Sequence, residues 1–135
     1  MAALRFFFDE NLLHLGKAFA AVRKDVTYPG HWAIPEVPPG TKDPDWLPVV
    51  GAANRDLVVV TLDKRIRHKP GEVELLAPHK IRMVTFTPQE DLNTWEKFCF
   101  VVSKWEKMEK EIAIRRDGPW IMTINKGGKV RDIQR

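Results

Sequence analysis

Two short, nearly unbroken apolar runs, each closed by an acid, set the pattern of the chain. Leu4 to Phe8 ends in Asp9, and Leu57 to Leu62 passes through Val58, Val59, Val60 and Thr61 to end in Asp63. Apolar runs of this length, rich in β-branched and aromatic residues, suit strands covered on both faces, as in a parallel sheet between helix layers. The acids mark the carboxyl ends of these strands, where open α/β sheets place their ligand sites.

Between the two runs the period changes. Leu12, Leu13, Leu15, Phe19 and Val22 recur at roughly helical spacing with Lys17, Arg23 and Lys24 interleaved, which predicts an amphipathic helix. Val26 to Tyr28 reads as a second short strand. Pro29 to Lys42 holds Pro29, Gly30, Pro35, Pro38, Pro39 and Gly40 around His31 and Trp32; it is too Pro-rich for a helix or a central strand and reads as a functional flap. Asp43-Pro44-Asp45-Trp46 starts a helix, with Asp43 at the N-cap and Pro44 in the first helical position. Leu47, Val50 and Ala53 would face inward before the helix ends near Asn54.

Beyond Asp63 comes a short basic turn or helix with Lys64, Arg65, Arg67, His68 and Lys69, broken by Pro70-Gly71. A helical segment near Val73 to Ala77 precedes a strand, Arg82 to Phe86. Two helix starts follow, Thr87-Pro88-Gln89-Glu90 and Asn93-Thr94-Trp95-Glu96, each with a capping residue followed three positions later by Glu. The helix from Asn93 is the longest, reaching about Arg115. Trp95, Phe98, Val102, Trp105 and Ile112 form its apolar stripe, read as core with Cys99 as a buried small hydrophobe beside it. Trp120 to Ile124 and Lys129 to Ile133 flank Asn125-Lys126-Gly127-Gly128, a β-hairpin at the sheet edge.

At 135 residues the chain is most simply one domain, long enough to bury about 68% of its unfolded surface. The formal net charge of +4 and pI near 9.3 favour a polyanionic partner. The single cysteine, Cys99, excludes an intramolecular disulfide and a cysteine-cluster zinc site. The apolar run at the start is too short for a signal peptide, and no stretch approaches the roughly 20 residues of a membrane span. The expectation is a cytoplasmic protein with no membrane partner.

The recurrent chemistry is an acid at a junction: Asp9, Asp43 and Asp63. Capping alone could explain any one of them, and for Asp43 taken alone it is the stronger explanation. The functional case rests on convergence, because parallel strands joined by crossovers bring their ends to one edge, where Asp9 and Asp63 meet if their strands are neighbours. Two carboxylates ~5 Å apart repel by about 3 kcal/mol at an effective dielectric of 20, so such a cluster favours a cation. Oxygen ligands without clustered His or Cys select Mg²⁺ or Mn²⁺ over zinc. His14, His31, His68 and His79 show no ligand spacing.

Phe6-Phe7-Phe8-Asp9-Glu10-Asn11-Leu12, Asp43-Pro44-Asp45-Trp46 and Val59-Val60-Thr61-Leu62-Asp63-Lys64-Arg65-Ile66, in that order, resemble the motifs of the short PIN-like nucleases, and most closely the VapC-type toxin ribonucleases. The resemblance runs from Leu4 to Phe86 and extends to Gly118-Pro119-Trp120-Ile121. It implies a three-layer α/β/α PIN-like domain over residues 1–135, with a mainly parallel central sheet. It implies Mg²⁺- or Mn²⁺-dependent cleavage of RNA by an endoribonuclease that is the toxin of a toxin-antitoxin pair, neutralised by a cognate antitoxin protein. Asp9, Asp43 and Asp63 match the acidic catalytic and metal positions, and Thr61 the small hydroxyl residue before the last acid. A fourth acid is usual in the family; Glu10, Asp45 and Asp91 are candidates, with Asp45 ahead because one helical turn could serve both it and Asp43. Lys64, Arg65 and Arg67 are placed to hold the phosphate backbone of RNA, although a solvated basic turn explains each of them singly as well. A homodimer is compatible with all of this.

Other classes fit less well. A phosphatase would carry an Asp-x-Asp nucleophile after the first strand, and a dinucleotide-binding domain a Gly-x-Gly-x-x-Gly turn; neither is present. The serious alternative is a non-catalytic RNA-binding or protein-interaction module on the same shell, which would tolerate loss of the acids and need no metal.

Overall fold

The structure is a computed structural model, and the residues it describes are 4–35, 37–40, 57–62, 80–115 and 119–133. Among them, β1 (Phe6–Phe8), β2 (Val26–Thr27), β3 (Val58–Leu62), β4 (Arg82–Thr87), β5 (Trp120–Asn125) and β6 (Val130–Asp132) form one sheet in the order β2-β1-β3-β4-β5-β6. The first five strands are parallel to their neighbours, and β6 returns antiparallel beside β5. A 3₁₀ turn, Glu10–Leu12, leads into α1 (Leu13–Val22), and α2 (Thr94–Ile114) connects the second half of the sheet. This is an α/β fold with a mainly parallel sheet and a C-terminal hairpin, as the periodicity predicts.

Strand alternation divides the apolar runs between two faces. Phe6, Phe8, Val58, Val60, Val84, Phe86, Met122 and Ile124 pack against α1 and α2 through Leu15, Phe19, Val101, Met108 and Ile112. Phe7, Val59 and Ile121 point the other way, where Ile34 and Val37 of the Pro-rich segment close over them. That segment is irregular, as expected. The helix predicted from Asp43, the basic turn after Asp63 and the helical segment near Val73 lie outside the described residues.

The two layers are also tied at the amino edge of the sheet. Arg23 donates to both carboxylate oxygens of Asp25 at 2.9 and 2.8 Å and to Glu109 at 3.2 Å, and its guanidinium lies 5.0 Å from the Trp105 ring centre. Burial alone would push the Asp25 carboxyl up, but the hydrogen bond and charge of Arg23 outweigh it and hold the group below its ordinary value. Arg115 grips Asp132 at 2.7 and 2.9 Å, fastening the end of α2 to β6.

Three expectations are corrected. Thr87-Pro88-Gln89-Glu90 starts no helix: Thr87 is the last residue of β4, level with Asn125 on β5. Gln89 has φ of 65°, in the left-handed region that a helix cannot continue. The Asn93 start does form a capping box, with Glu96 N–H donating to Asn93 Oδ1 at 2.8 Å and Asn93 N–H to Glu96 Oε1 at 3.0 Å. On α2 the buried stripe is Val101, Met108 and Ile112, with Phe98 and Trp105 packed at its margin. Trp95 is 69% exposed and Val102 is exposed, because both lie about a hundred degrees or more around the helix from the residues that meet the sheet. Cys99, on the same outward side, is exposed rather than buried.

Candidate functional site

The strand order brings β1 between β2, which follows it in the chain, and β3, which the chain reaches by crossing back. Such a reversal is a topological switch point, and the crevice at the carboxyl ends of its two strands is where open α/β sheets bind ligands. Asp9 leaves β1 at this place, and Thr61 sits on β3. Phe8 is level with Val60, and Asp9 N–H donates to Val60 carbonyl oxygen at 3.3 Å, so Asp9 comes beside Thr61. The condition on which the convergence of Asp9 and Asp63 rests, neighbouring parallel strands, is met by β1 and β3.

Asp9 is only 4% exposed. It occupies the N-cap position of the 3₁₀ turn, its carbonyl accepting from Leu12 N–H at 3.0 Å, yet its side chain makes no capping hydrogen bond. Capping therefore does not account for the carboxylate at this position. Glu10, the next residue, has its Oε2 atom buried without a hydrogen-bond partner among the described residues. A carboxylate oxygen withdrawn from water in this way is costly unless something charged meets it. Glu10 thus has a structural observation in favour of its being the further acid.

The register shows a feature the motifs do not. On the face carrying Phe7, the level above the apolar row Phe7, Val59, Met83 and Ile121 is polar along β1, β3, β4 and β5: Asp9, then Thr61, Thr85 and Thr123. Thr87 and Asn125 stand one level further on. Thr85, Thr87 and Thr123 are buried, with the Thr87 hydroxyl donating to Ile124 carbonyl oxygen at 3.4 Å and that of Thr123 to Arg131 carbonyl oxygen at 3.5 Å. The sequence gives no role to Thr85 or Thr123 when read alone, although apolar-Thr-apolar recurs in Val60-Thr61-Leu62, Val84-Thr85-Phe86 and Met122-Thr123-Ile124. The repeat marks where the apolar floor of the sheet ends.

Asp43, Asp45, Asp63, Lys64, Arg65 and Arg67 lie outside the described residues. No group of three His, Cys, Asp or Glu side chains able to hold a metal forms among the described residues. Asp91, the other candidate for a further acid, is exposed in the segment between β4 and α2.

The flap begins at the same edge. Carrying the β1–β2 register on by one residue sets Tyr28 level with Phe8. A Cβ on Gly16 would meet the Cβ of Tyr28 at 2.9 Å and that of Phe8 at 3.1 Å, so both stand against α1. His31 follows, buried, its Nδ1 accepting from Ala33 N–H at 3.1 Å. Burial pushes the imidazole below its ordinary 6.5. An unfolded imidazole takes up a proton near that value and the folded one only at lower pH, so the contribution of His31 reduces stability as pH falls below about 6.5 and vanishes above it. Denaturant midpoints at pH 7.5 and 5.5 should differ more for the wild type than for His31→Gln; equal differences would mean that His31 is not held neutral by the fold.

Among the described residues, no helix is long and apolar enough to cross a membrane. A family model described as a PIN like domain matches residues 4–88, well over half of the chain. The match takes in β1 to β4 and all of Asp9, Glu10, Asp43, Asp45, Thr61 and Asp63. No curated protein and no solved structure matches the chain.

Proposed function

Given that the chain belongs to the PIN-like domain family, a family of nucleases, we propose that it is a metal-dependent endoribonuclease and the toxin of a toxin-antitoxin pair. The observation that carries the reading is Asp9: a buried acid at the β1/β3 switch point, beside Thr61, whose side chain serves no cap. Asp63 follows the last residue of β3 in sequence, at the end of the strand adjacent to β1. The toxin assignment and a neutralising antitoxin rest on the resemblance of the three motifs to the VapC-type subgroup; a small antitoxin gene next to this one would support them.

The donor set fits a hard divalent cation, since it offers carboxylate oxygen alone. Asp9, Asp43 and Asp63, with Asp45 or Glu10 as the further acid, would hold Mg²⁺ or Mn²⁺. When bound, such an ion supplies an activated water and neutralises charge on the scissile phosphate. The chain's own part would be to position: β1 places Asp9 at the sheet edge beside Thr61 of the neighbouring β3, and Asp63, next in sequence after β3, would join it there. Lys64, Arg65 and Arg67 would hold the phosphates on either side of the cut.

Purified protein should cleave single-stranded RNA with millimolar Mg²⁺ or Mn²⁺ and not with EDTA. An ion that binds only the folded state should also stabilise it by about 2.7 kcal/mol at a hundredfold excess over its Kd, read as a shift in the urea midpoint. Equal stability in metal and in EDTA, with no cleavage in either, would remove the nuclease reading and leave a binding module on the same shell.

A further inference from the structure

The flap carries a built aromatic step that the cleavage site does not use. Trp32 is 83% exposed, while its neighbour His31 is buried. The two rings stack with centroids 5.3 Å apart and planes inclined by 29°, and the His31 and Tyr28 rings meet edge to face with centroids 5.1 Å apart. One face of the indole is thus backed by an imidazole, and the side chain as a whole stands open to solvent.

The support beneath this step is firm. Ile34 and Val37 are buried under Phe7 and Val59. Backbone hydrogen bonds close the segment on itself, from Gly30 N–H to Val37 oxygen at 2.7 Å, His31 N–H to Tyr28 oxygen at 2.9 Å and Ile34 N–H to His31 oxygen at 3.1 Å. Gly30, with φ of +95°, allows the tight return, and a Cβ there would meet Pro39 at 2.7 Å. A large aromatic side chain held outward on such a base loses little freedom when something stacks on it.

Its place is the carboxyl edge of the sheet. The register sets Pro29 level with Asp9 one strand away. Strand spacing and the reach of three residues then put the Trp32 Cα within about 16 Å of the Asp9 Cα. The other large apolar side chains exposed among the described residues, Val22, Trp95, Val102 and Ile114, belong to α1 and α2. Among the described residues Trp32 is therefore a single flat ring on a segment of turns, not part of an extended apolar patch of the kind protein partners cover. The chain also carries a formal net charge of +4, which suits a phosphate backbone.

We propose that Trp32, backed by His31, is a platform on which a nucleobase of single-stranded RNA stacks as the strand crosses the carboxyl edge beside Asp9. The proposal rests on the nuclease reading and adds to it a sequence-tolerant grip on the base, distinct from any hold on phosphates. Every base has a π-face, so the grip sets affinity and register, not sequence.

The test measures binding of a 2′-O-methyl oligoadenylate, which resists cleavage, and of the same chain with one abasic position moved along it. Trp32→Ala should raise the Kd of the intact chain about 5–150-fold, the range that removal of one stacking aromatic produces, and Trp32→Phe should restore most of it. For the wild type, one abasic position should weaken binding comparably; for Trp32→Ala it should make no further difference. Wild-type cleavage and binding together with an unchanged Kd for Trp32→Ala would overturn the platform alone and point to a protein partner for the ring. Failure of the wild type both to bind and to cleave RNA would overturn the platform and the nuclease reading together.

Discussion

Asp9→Asn is expected to lower metal-dependent RNA cleavage by at least about a hundredfold, the scale on which loss of one charge-stabilising group disables an active site, while the protein stays folded. The substitution keeps the volume of the side chain and one of its two acceptor oxygens, and it leaves the Asp9 N–H bond to Val60 in place. No side-chain cap is lost, since none is made, and Asn caps as well as Asp in any case. What disappears is charge at the β1/β3 crevice. Asp43→Asn and Asp63→Asn should behave alike, whereas a binding module would tolerate all three. Glu10→Gln, Asp45→Asn and Asp91→Asn separate the three candidates for the further acid: the one whose change weakens Mn²⁺ binding, read in the metal-induced shift of the urea midpoint, is the ligand. Full cleavage by purified Asp9→Asn, Asp43→Asn and Asp63→Asn would end the assignment.

The parts of this molecule that were legible from sequence are those where local chemistry and tertiary packing agree. Phe6-Phe7-Phe8 can only be a strand with both faces covered, and it is. The Asn93 capping box and the Asn125 to Gly128 turn carry their own hydrogen bonds: Asn125 Oδ1 accepts from Lys129 N–H at 2.8 Å, and Gly128 takes φ of +85°. Thr87-Pro88-Gln89-Glu90 has the same residue types as a capping box, but pairing with β5 claims Thr87 first. On α2, two interleaved stripes of similar hydrophobicity satisfy the helical period. The stripe read from spacing contains Trp95 and Val102, whereas the sheet is met by Val101, Met108 and Ile112. Of the candidate site, the neighbouring parallel strands that carry Asp9 and Thr61 were legible, because two apolar runs each closed by an acid read as buried strands of one sheet. The level of Thr85 and Thr123 was not, because it exists only in the register between strands. The lesson of Trp32 is related: exposure distinguishes a platform from a core aromatic, and composition does not contain it.

Phe8→Ala is expected to cost about 3–5 kcal/mol, as truncation of a fully buried aromatic does. Phe8 has no exposed surface. Its ring lies 5.2 Å from that of Phe19 on α1 and 6.3 Å from that of Trp105 on α2, so one side chain joins both helices to the sheet. The void cannot close easily, because α1 already runs so near that a Cβ on Gly16 would stand 3.1 Å from the Cβ of Phe8. A domain of this size has only about 5–15 kcal/mol of stability in total, so the loss should be plain in urea titrations at unchanged slope. Phe19→Ala should be non-additive with it, since the two rings share one contact. The comparison with the next residue is the informative one. Phe8 faces the helices and Asp9 the opposite side of the sheet, so adjacent substitutions should separate cleanly. Phe8→Ala should lower stability by several kcal/mol. Asp9→Asn should leave the metal-free fold as stable as before or more so, because the proposed site would bring Asp9 near other carboxylates and removing its charge would relieve their repulsion. A stability loss at Asp9 matching that at Phe8 would mean that the acid is part of the scaffold, and that the crevice between β1 and β3 is packed interior with no place for a substrate.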